Sequence, residues 1–461
     1  MARRDNIIDK LRFHFVGIGG IGMSALAHII KSQGHFVSGS DRKSDNNQTP
    51  ETFRKLESLG IRICPQDGSG IDGSIDFMVV SSAIEKDNPD IKTAVKENIQ
   101  IIKRSELLAN LFNHKHGIAI GGSNGKTTVC GMISWILDKA GHDPTIVGGG
   151  YAKNYITDKF LGNAKFGASN VVVIEADESD GSLVNYEPKV SVITDISKDH
   201  KTMDELENIF SKFAENTSGT LVINEKCFQS IKTNGNPKEV IKYGENNGSD
   251  IKVSNISCSP IGSSFEINGN KFELKIPGSY NVHNALAAIA VARVEGVPDN
   301  EIMSALATFK GIRRRMEVVG EKNGITVIDD YAHNPKKIQA AIDTVRLNST
   351  KLIVVFQPHG YGPTKFLRDG YVSAFAEKLL PSDVLIMPEV YFSGGTADKT
   401  ISSKDIIDEL EDRGMNAFFI PNRDDIVSKI KRQADSRDSI IVMGARDDSL
   451  TDLCRTILNN L

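Results

Sequence analysis

The stretch Gly122-Ser123-Asn124-Gly125-Lys126-Thr127-Thr128 constrains this chain more than any other. His116-Gly117-Ile118-Ala119-Ile120 precedes it, an apolar run of the kind that forms a buried strand. Val129 to Leu137 follows it, with apolar residues at helical spacing. A strand, a glycine-rich turn and a helix N-terminus together make an anion site. Backbone N–H groups point outward, the helix dipole adds partial positive charge, and glycine lets a phosphate approach the main chain. In that geometry Lys126 sits on β- and γ-phosphates, and Thr127 or Thr128 holds Mg²⁺. The full phosphate-loop pattern places a further Gly where Ile120 stands, so the weight rests on the strand–turn–helix context. The bland alternative is a helix N-terminus with a solvated lysine.

A chain of 461 residues exceeds one ordinary core, and two to four domains are expected. Hydrophobic residues at 39% and charged residues at 25% suit a soluble globular protein. A net charge of −4 gives no general pull toward nucleic acid. Cys64, Cys130, Cys227, Cys258 and Cys454 are scattered, with no C-x-x-C, which argues against zinc and disulfide frameworks. No signal-type apolar core follows the charged start, and no apolar run is long enough to span a membrane. The cytoplasm, with no membrane partner, is the expected compartment.

Upstream, Leu11 to Val16 reads as a strand, Gly17-Ile18-Gly19-Gly20-Ile21-Gly22 as a turn, and Met23 to Ile30 as a helix. A second strand, His35 to Ser40, ends at Asp41. This is G-x-G-x-x-G in a β-α-β unit with an acid about 20 residues on. Taken alone it suggests NAD or FAD, but any nucleotide diphosphate satisfies the same geometry, with the Asp41 carboxylate near a ribose hydroxyl or another donor. Further strands are expected at Asp76 to Ser82, ending in the hydroxyls of Ser81 and Ser82, and at Gln100 to Arg104. Ser105-Glu106 is read as the cap of the next helix, and Asn113 to His116 as a linker.

Beyond the phosphate loop, Val171 to Ile174 is a buried strand with Glu175-Ala176-Asp177-Glu178-Ser179-Asp180 at its C-terminal end. Val190 to Asp195 is another strand, with Asp199-His200 just after it. Hard oxygen ligands and an imidazole at two strand ends, close to a Lys-Thr loop, favour Mg²⁺ on ATP; for His200 alone, a helix-capping or core role is the alternative. Residues 250–275 alternate as a β meander, with turns at Gly262-Ser263 and Asn268-Gly269-Asn270. A small-residue helix follows, with Asn281 as its cap and Asn284 offering an amide to adenine edges.

The basic run Arg313-Arg314-Arg315 reads as a solvated hinge or as a guanidinium source for phosphate. A third α/β unit then has strands at Ile325 to Asp330, Leu352 to His359, Asp383 to Met387 and Ser439 to Ala445. A helix at Asp405 to Glu411 is capped by Ser402 or Ser403.

Taken in order, His14 to Ser24, Val37 to Asp41, Ser81 to Ile84, Asn88-Pro89, Glu175 to Asp180, Arg314-Arg315, Asp329-Asp330-Tyr331 and Phe356-Gln357-Pro358-His359 resemble the Mur ligase family of ATP-dependent amide-forming enzymes. The resemblance covers almost the whole chain and is strongest to the alanine-adding branch. It implies an α/β fold of three domains: a Rossmann-like UDP-sugar domain at 1–113, a central P-loop ATPase-type mixed sheet binding Mg·ATP at 114–314, and a Rossmann-like amino-acid domain at 315–461. It implies UDP-N-acetylmuramate and L-alanine as substrates, an acyl-phosphate intermediate, and a monomer or homodimer. Gly17, Gly19, Gly20, Gly22, Asp41, Ser81 and Ser82 would bind the UDP-sugar. Gly122, Ser123, Asn124, Gly125, Lys126, Thr127 and Thr128 would bind ATP, with Lys126 neutralising its phosphates. Thr127, Glu175 and His200 would hold Mg²⁺, Asn284 and Asp330 would contact the adenosine, and Arg315 the γ-phosphate. His333 would lie near the nucleotide and the incoming amine.

The chain departs from that branch at Asn124, Tyr280 and Asn334, where histidines are usual, and at Gly360, where an arginine is expected. The changes at Asn334 and Gly360 fall near the expected amino-acid pocket and bear on the acceptor. Four rival readings are a peptide-adding recycling member of the same family, a related ligase of that family with another acceptor, a nicotinamide-dependent oxidoreductase, and a non-catalytic nucleotide-binding protein. The oxidoreductase leaves Gly122 to Thr128 and Glu175 to Asp180 without a role. The non-catalytic protein conflicts with an intact Lys126 and Thr127.

Overall fold

Alternating apolar runs and helical periods predict parallel sheets, and three sheets form. A computed structural model describes residues 10–48, 50–82, 84–179, 181–197, 201–233, 235–259, 262–347, 349–392 and 399–461. His200, with its neighbour Asp199, and Asp180 therefore lie outside the described residues.

The first sheet has five parallel strands, in the order Arg62–Cys64, Phe36–Ser40, Arg12–Val16, Phe77–Val80, Gln100–Lys103. In this doubly wound order the ligand crevice lies outside the C-terminal ends of the two strands where the order reverses. Those are Arg12–Val16 and Phe77–Val80, which deliver Gly17 and Ser81 to the same edge.

The second sheet has ten strands. At its centre His116–Gly121 runs parallel between Val171–Glu175 and Val190–Ile193. Thr145–Val147 continues it in parallel on one side, and Ala164–Lys165 closes that edge antiparallel, so the sheet is mixed. On the other side come Thr220–Asn224, Glu239–Gly244, and the strands Ile251–Ser259, Gly262–Ile267 and Asn270–Leu274. Asn268 and Gly269 have φ of 51° and 81°, the left-handed pair that a tight two-residue turn requires. Gly262-Ser263 is not a turn; it opens a strand.

The third sheet has six strands. Ile325–Asp330, Ser439–Met443 and Leu352–Phe356 lie side by side in parallel, so their C-terminal tips converge. Glu317–Lys322 pairs antiparallel on the near edge.

The chain divides into two compact units: one of residues up to Ile256 with Ser264–Leu274 and Tyr280–Ile312, the other of Arg313–Leu461 with Ser257–Ser263 and Lys275–Ser279. Within the first unit, Phe15, Ile18, Leu108 and Phe112 join Ala119, Ile174, Phe210 and Phe213 in a continuous apolar core. Asn163 Nδ2 adds a polar tie, donating to the Ile21 carbonyl at 2.7 Å and to Ser24 Oγ at 2.9 Å.

Two helix starts differ from expectation. Gly278 turns the chain at φ +99°, so the next helix begins at once as Ser279–Val294, and Asn281 falls inside its first turn rather than capping it. The helix Arg104–Phe112 is capped at Lys103, whose N–H donates to Glu106 Oε2 at 3.1 Å; Ser105 is already helical. Ser402 caps Ser403–Asp412 through a capping box with Asp405, in line with the sequence reading. No described helix is long and apolar enough to cross a membrane.

Phe112 is fully buried, its ring lies edge-on to Tyr186, and a Cβ on Gly117 would fall 2.4 Å from it. Phe112→Ala is expected to cost about 3–5 kcal/mol. The single tryptophan, Trp135, sits in the helix after the phosphate loop and gives the readout. A lowered urea midpoint of Trp135 emission is the expected result, and an unchanged midpoint contradicts this packing.

Candidate active site

The strand His116–Gly121 runs into the loop, and the helix Lys126–Lys139 leaves it. Gly122 has φ +135° and Gly125 has φ +85°, backbone that L side chains rarely adopt. A Cβ on Gly122 would fall 2.0 Å from Thr194 Oγ1, and one on Gly125 would fall 2.4 Å from Asn284 Oδ1. The helix N-cap, Gly125, makes no side-chain cap bond, so the first N–H groups have no side-chain acceptor there. Side chains from the next strand end brace the loop. Asn124 Nδ2 donates to Asp195 Oδ2 at 2.6 Å and to Ser197 Oγ at 3.0 Å, and Ser123 Oγ donates to the Ser197 carbonyl at 2.9 Å. Asn124 and Ser123 thus hold the loop's shape with their side chains. Asn284, expected at the adenine, is buried, bonds Asn281 and lies against Gly125.

Lys126 Nζ donates to the Gly122 carbonyl at 2.6 Å and to Glu178 Oε2 at 2.7 Å. Burial works against its charge, but the carboxylates of Glu178, Glu175 and Asp177 outweigh that and hold the ammonium protonated. Two carboxylates of the acid cluster thus do different work. Glu178 pairs with Lys126, whereas Glu175 turns to the run Gly148-Gly149-Gly150. Gly149 N–H donates to Glu175 Oε2 at 3.0 Å, and a Cβ on Gly150 would stand 2.7 Å from Thr127 Cγ2. Thr127 and Glu175 therefore flank the same glycine turn. The Thr127 hydroxyl has no partner among the described residues. A free hydroxyl and a carboxylate beside a glycine cradle fit Mg²⁺, which takes few protein oxygens and keeps several waters.

The first glycine loop repeats the design. Gly17 has φ +78°, and the N–H groups of Gly17 and Ile18 both donate to the Ser40 carbonyl, at 2.8 and 3.0 Å. Asp41 braces the loop directly: Gly19 N–H donates to its Oδ2 and Lys43 N–H to its Oδ1, both at 2.8 Å. Gly20 is the N-cap of Ile21–Ser32 without a side-chain bond, and a Cβ on Gly22 would stand 3.2 Å from Arg104 Nη1. Ser81, Ser82, Arg104, Ser105, Gly181 and Asn185 line a cavity of about 160 Å³ nearby.

In the second unit the basic run separates into two roles. Arg314 is buried; its Nε donates to Asp329 Oδ1 at 3.2 Å and its Nη2 to the Gly444 carbonyl at 2.7 Å. Arg315 lies over the Tyr331 ring at 5.0 Å and has no ion pair among the described residues, which leaves it the available guanidinium. Asp330 is buried and both its oxygens accept backbone N–H groups, Met316 at 2.7 Å and Ala332 at 2.7 Å. Its side chain thus ties the chain after Arg315 to the strand end.

His333 Nδ1 faces the Tyr331 carbonyl at 2.9 Å, so Nδ1 carries the proton and Nε2 keeps a lone pair. The rings of His333 and His359 meet edge to face at 5.6 Å. Burial, reinforced by the Lys337 charge, lowers the His333 pKa to about 3, and burial with Arg446 nearby lowers that of His359 to about 4. Both imidazoles are neutral at physiological pH. Asn334 caps the helix Pro335–Arg346 by accepting from Lys337 N–H at 2.9 Å, and Gly360 caps Tyr361–Lys378 at φ +69°, where an arginine would be strained.

Sequence reasoning missed Arg104, Glu178 as the partner of Lys126, and Gly148-Gly149-Gly150. The last carries a signal in its three consecutive glycines just after the strand Thr145–Val147. Arg104 carries one only as a cation at a strand end.

Comparison with known proteins agrees with this geometry. Residues 12–116 match the Mur ligase family catalytic domain, 120–292 the Mur ligase middle domain, and 314–446 the Mur ligase glutamate ligase domain. The UDP-N-acetylmuramate–L-alanine ligase of Dictyoglomus turgidum is 36% identical over 455 residues, covering 95% of each chain. That of Caldicellulosiruptor bescii is 37% identical over 453 residues, covering 95% of this chain and 96% of its own. Among solved structures, the UDP-N-acetylmuramate–alanine ligase of Thermotoga maritima superposes with a TM-score of 0.79 at 28% identity, covering 97% of this chain and 98% of that one. A murein peptide ligase from Psychrobacter arcticus shares the fold, at a TM-score of 0.68 and 23% identity, over 98% of each chain. Two glycine loops in one unit, an acid-paired lysine at the second, and relatives spanning nearly the whole length lead to one conclusion: the chain belongs to the Mur ligase family.

Proposed function

We infer that the protein is the ATP-dependent ligase that joins L-alanine to the carboxylate of UDP-N-acetylmuramate, a step of peptidoglycan precursor synthesis in the cytoplasm. The observation that carries the chemistry is the constellation of Lys126, Thr127 and Glu175 around glycine turns, which suits phosphoryl transfer. The substrate pair rests on alanine ligases aligned over nearly all of this chain. In this reading residues 1–113 bind the UDP-sugar, 114–314 bind Mg·ATP, and 315–461 bind the amino acid.

Phosphoryl transfer is mostly positioning and charge stabilisation. The N–H groups after Gly125 face the phosphates, and Lys126 exchanges Glu178 for phosphate oxygens. Thr127 and Glu175, with His200, hold Mg²⁺, which screens the phosphate charge when bound. Arg315 neutralises charge on the γ-phosphate, and Asn284 and Asp330 shape the nucleotide site. Arg104 is placed to draw the anionic parts of the UDP-sugar toward Gly22, Ser81 and Ser82. The muramoyl carboxylate oxygen attacks the γ-phosphorus, ADP leaves, and an acyl phosphate forms. The neutral amine adds to the acyl carbon, the tetrahedral adduct collapses, and phosphate departs, the nitrogen's surplus proton passing to the released phosphate or to solvent. His333 Nε2, unprotonated, accepts a hydrogen bond from that amine and so keeps the amine's lone pair aimed at the carbonyl.

Phosphate release from ATP with UDP-N-acetylmuramate, scanned over L-alanine, other amino acids and a muropeptide tripeptide, tests the reading. Release with L-alanine is expected; release only with the tripeptide, or with none, contradicts it. Lys126→Ala is expected to lower kcat by about a thousandfold or more. The double variant Lys126→Ala/Glu178→Gln, which leaves no unpaired buried carboxylate, should be equally inactive while Trp135 emission reports a folded chain. Activity retained in either variant contradicts the role of Lys126.

The depressed histidines also set a pH dependence of stability. With folded pKa values of about 3 for His333 and about 4 for His359, against an ordinary value of 6.5, the unfolded chain binds more protons in between. Stability from these groups is present above pH 6.5 and is lost as pH falls toward 4, by at most about 1.4 kcal/mol per pH unit for each. His333→Gln and His359→Gln should flatten the fall in Tm over that window. An unchanged slope in both contradicts their neutral burial.

A further inference from the structure

After the strand Ser439–Met443 the chain is clamped on both sides of Arg446. Gly444 N–H donates to the Asp330 carbonyl at 3.2 Å, and the Gly444 carbonyl accepts from Arg314. Asp447, buried, accepts from the Arg423 guanidinium and from Ser449 N–H at 3.1 Å. Arg446 itself is held at φ +70°, a left-handed conformation that disfavours any residue with a Cβ. It is exposed, and its guanidinium has no hydrogen bond or ion pair among the described residues. The fold therefore maintains a strained arginine whose charged head is unpaired.

Its surroundings are chemically defined. The Arg446 N–H stands 3.4 Å from the Tyr331 hydroxyl oxygen, and the Tyr331 ring meets His333 edge to face at 5.7 Å. His333 meets His359 in turn, and the charge of Arg446 reaches His359. His359 Nδ1 is buried with no hydrogen-bond partner. The free guanidinium of Arg446 thus lies near the neutral imidazole of His359, whose ring meets that of His333, at the strand tips; the charges that act on His333 itself are those of Lys337 and of Arg315, the latter assigned above to phosphate. A guanidinium forms paired, charge-assisted hydrogen bonds to a carboxylate, whereas a neutral imidazole accepts from an amine. Those are the two ends of an amino acid.

We propose that Arg446 binds the carboxylate of the incoming amino acid and so sets the preference of this ligase for acceptors that carry one, with their amine toward His333 and His359. This rests on the ligase reading given above. Arg446 acts here as a specificity residue, not a group of the phosphoryl transfer.

The test compares L-alanine with L-alaninamide, which keeps the amine and lacks the carboxylate, in steady-state phosphate release by the full-length enzyme. Arg446→Gly suits φ +70°, so the backbone is relieved rather than broken. In this variant the KM for L-alanine should rise about ten- to hundredfold, with kcat within about twofold and the KM for L-alaninamide unchanged. Arg446→Lys, which keeps the charge without the fork, should fall between. If wild type uses L-alanine and Arg446→Gly has the same KM for it, the proposal is overturned and the ligase reading stands. The same holds if both acceptors lose equally. If wild type uses no carboxylate-bearing acceptor, both are overturned.

Discussion

Main-chain N–H groups can hold a phosphate only where no Cβ stands in its path, and the first unit meets that requirement at two glycine loops. It fixes Gly122 and Gly125 at positive φ and brings Thr194 and Asn284 so close to them that any side chain would collide. It is met again at Gly17, where the backbone turns at φ +78° beneath the Ser40 carbonyl. Once the loops are fixed, the remaining polar groups have defined work. Asn124, Ser123 and Asp41 each satisfy backbone or loop partners. The Lys126–Glu178 pair follows from the same logic, since a buried ammonium needs a counter-charge that a phosphate can replace.

The second unit shows how adjacent residues of one type are given different roles by burial. Arg314 is locked into Asp329, with Thr451 Oγ1 also donating to that carboxylate at 2.6 Å, whereas Arg315 stays on the Tyr331 face. Asp329 and Asp330, side by side in sequence, point to opposite faces of a strand, as its period of two demands. One anchors the arginine and the other the backbone after it. His333 and His359 are kept neutral by the same burial, which suits them to accept a hydrogen bond from an amine.

Much of this is legible in the sequence. Gly-rich turns between apolar runs mark both glycine loops, because the period switches from strand to helix across them. The capping box Ser402–Asp405 is equally plain. The short strands Arg62–Cys64, Glu239–Gly244 and Ala417–Phe419 are not legible; three to six residues with mixed polarity carry too little periodicity, and their neighbours in the sheet decide them. Asn281 misleads because an asparagine before a helical run mimics a cap, while Gly278 has already begun the helix. The placing of Arg104, the pairing of Glu178 with Lys126 and the conformation of Arg446 are not legible, since what distinguishes them is burial, a partner or a backbone angle. Residue type alone does not reveal these.

The central claim is that the carboxylate is activated by direct transfer of the γ-phosphoryl group. Its most direct test is turnover of UDP-N-acetylmuramate labelled with heavy oxygen in the muramoyl carboxylate, with ATP and L-alanine, followed by mass analysis of the released phosphate. An acyl phosphate leaves one carboxylate oxygen on phosphorus, so the account predicts label in the phosphate at each turnover. Unlabelled phosphate alongside amide product would contradict it.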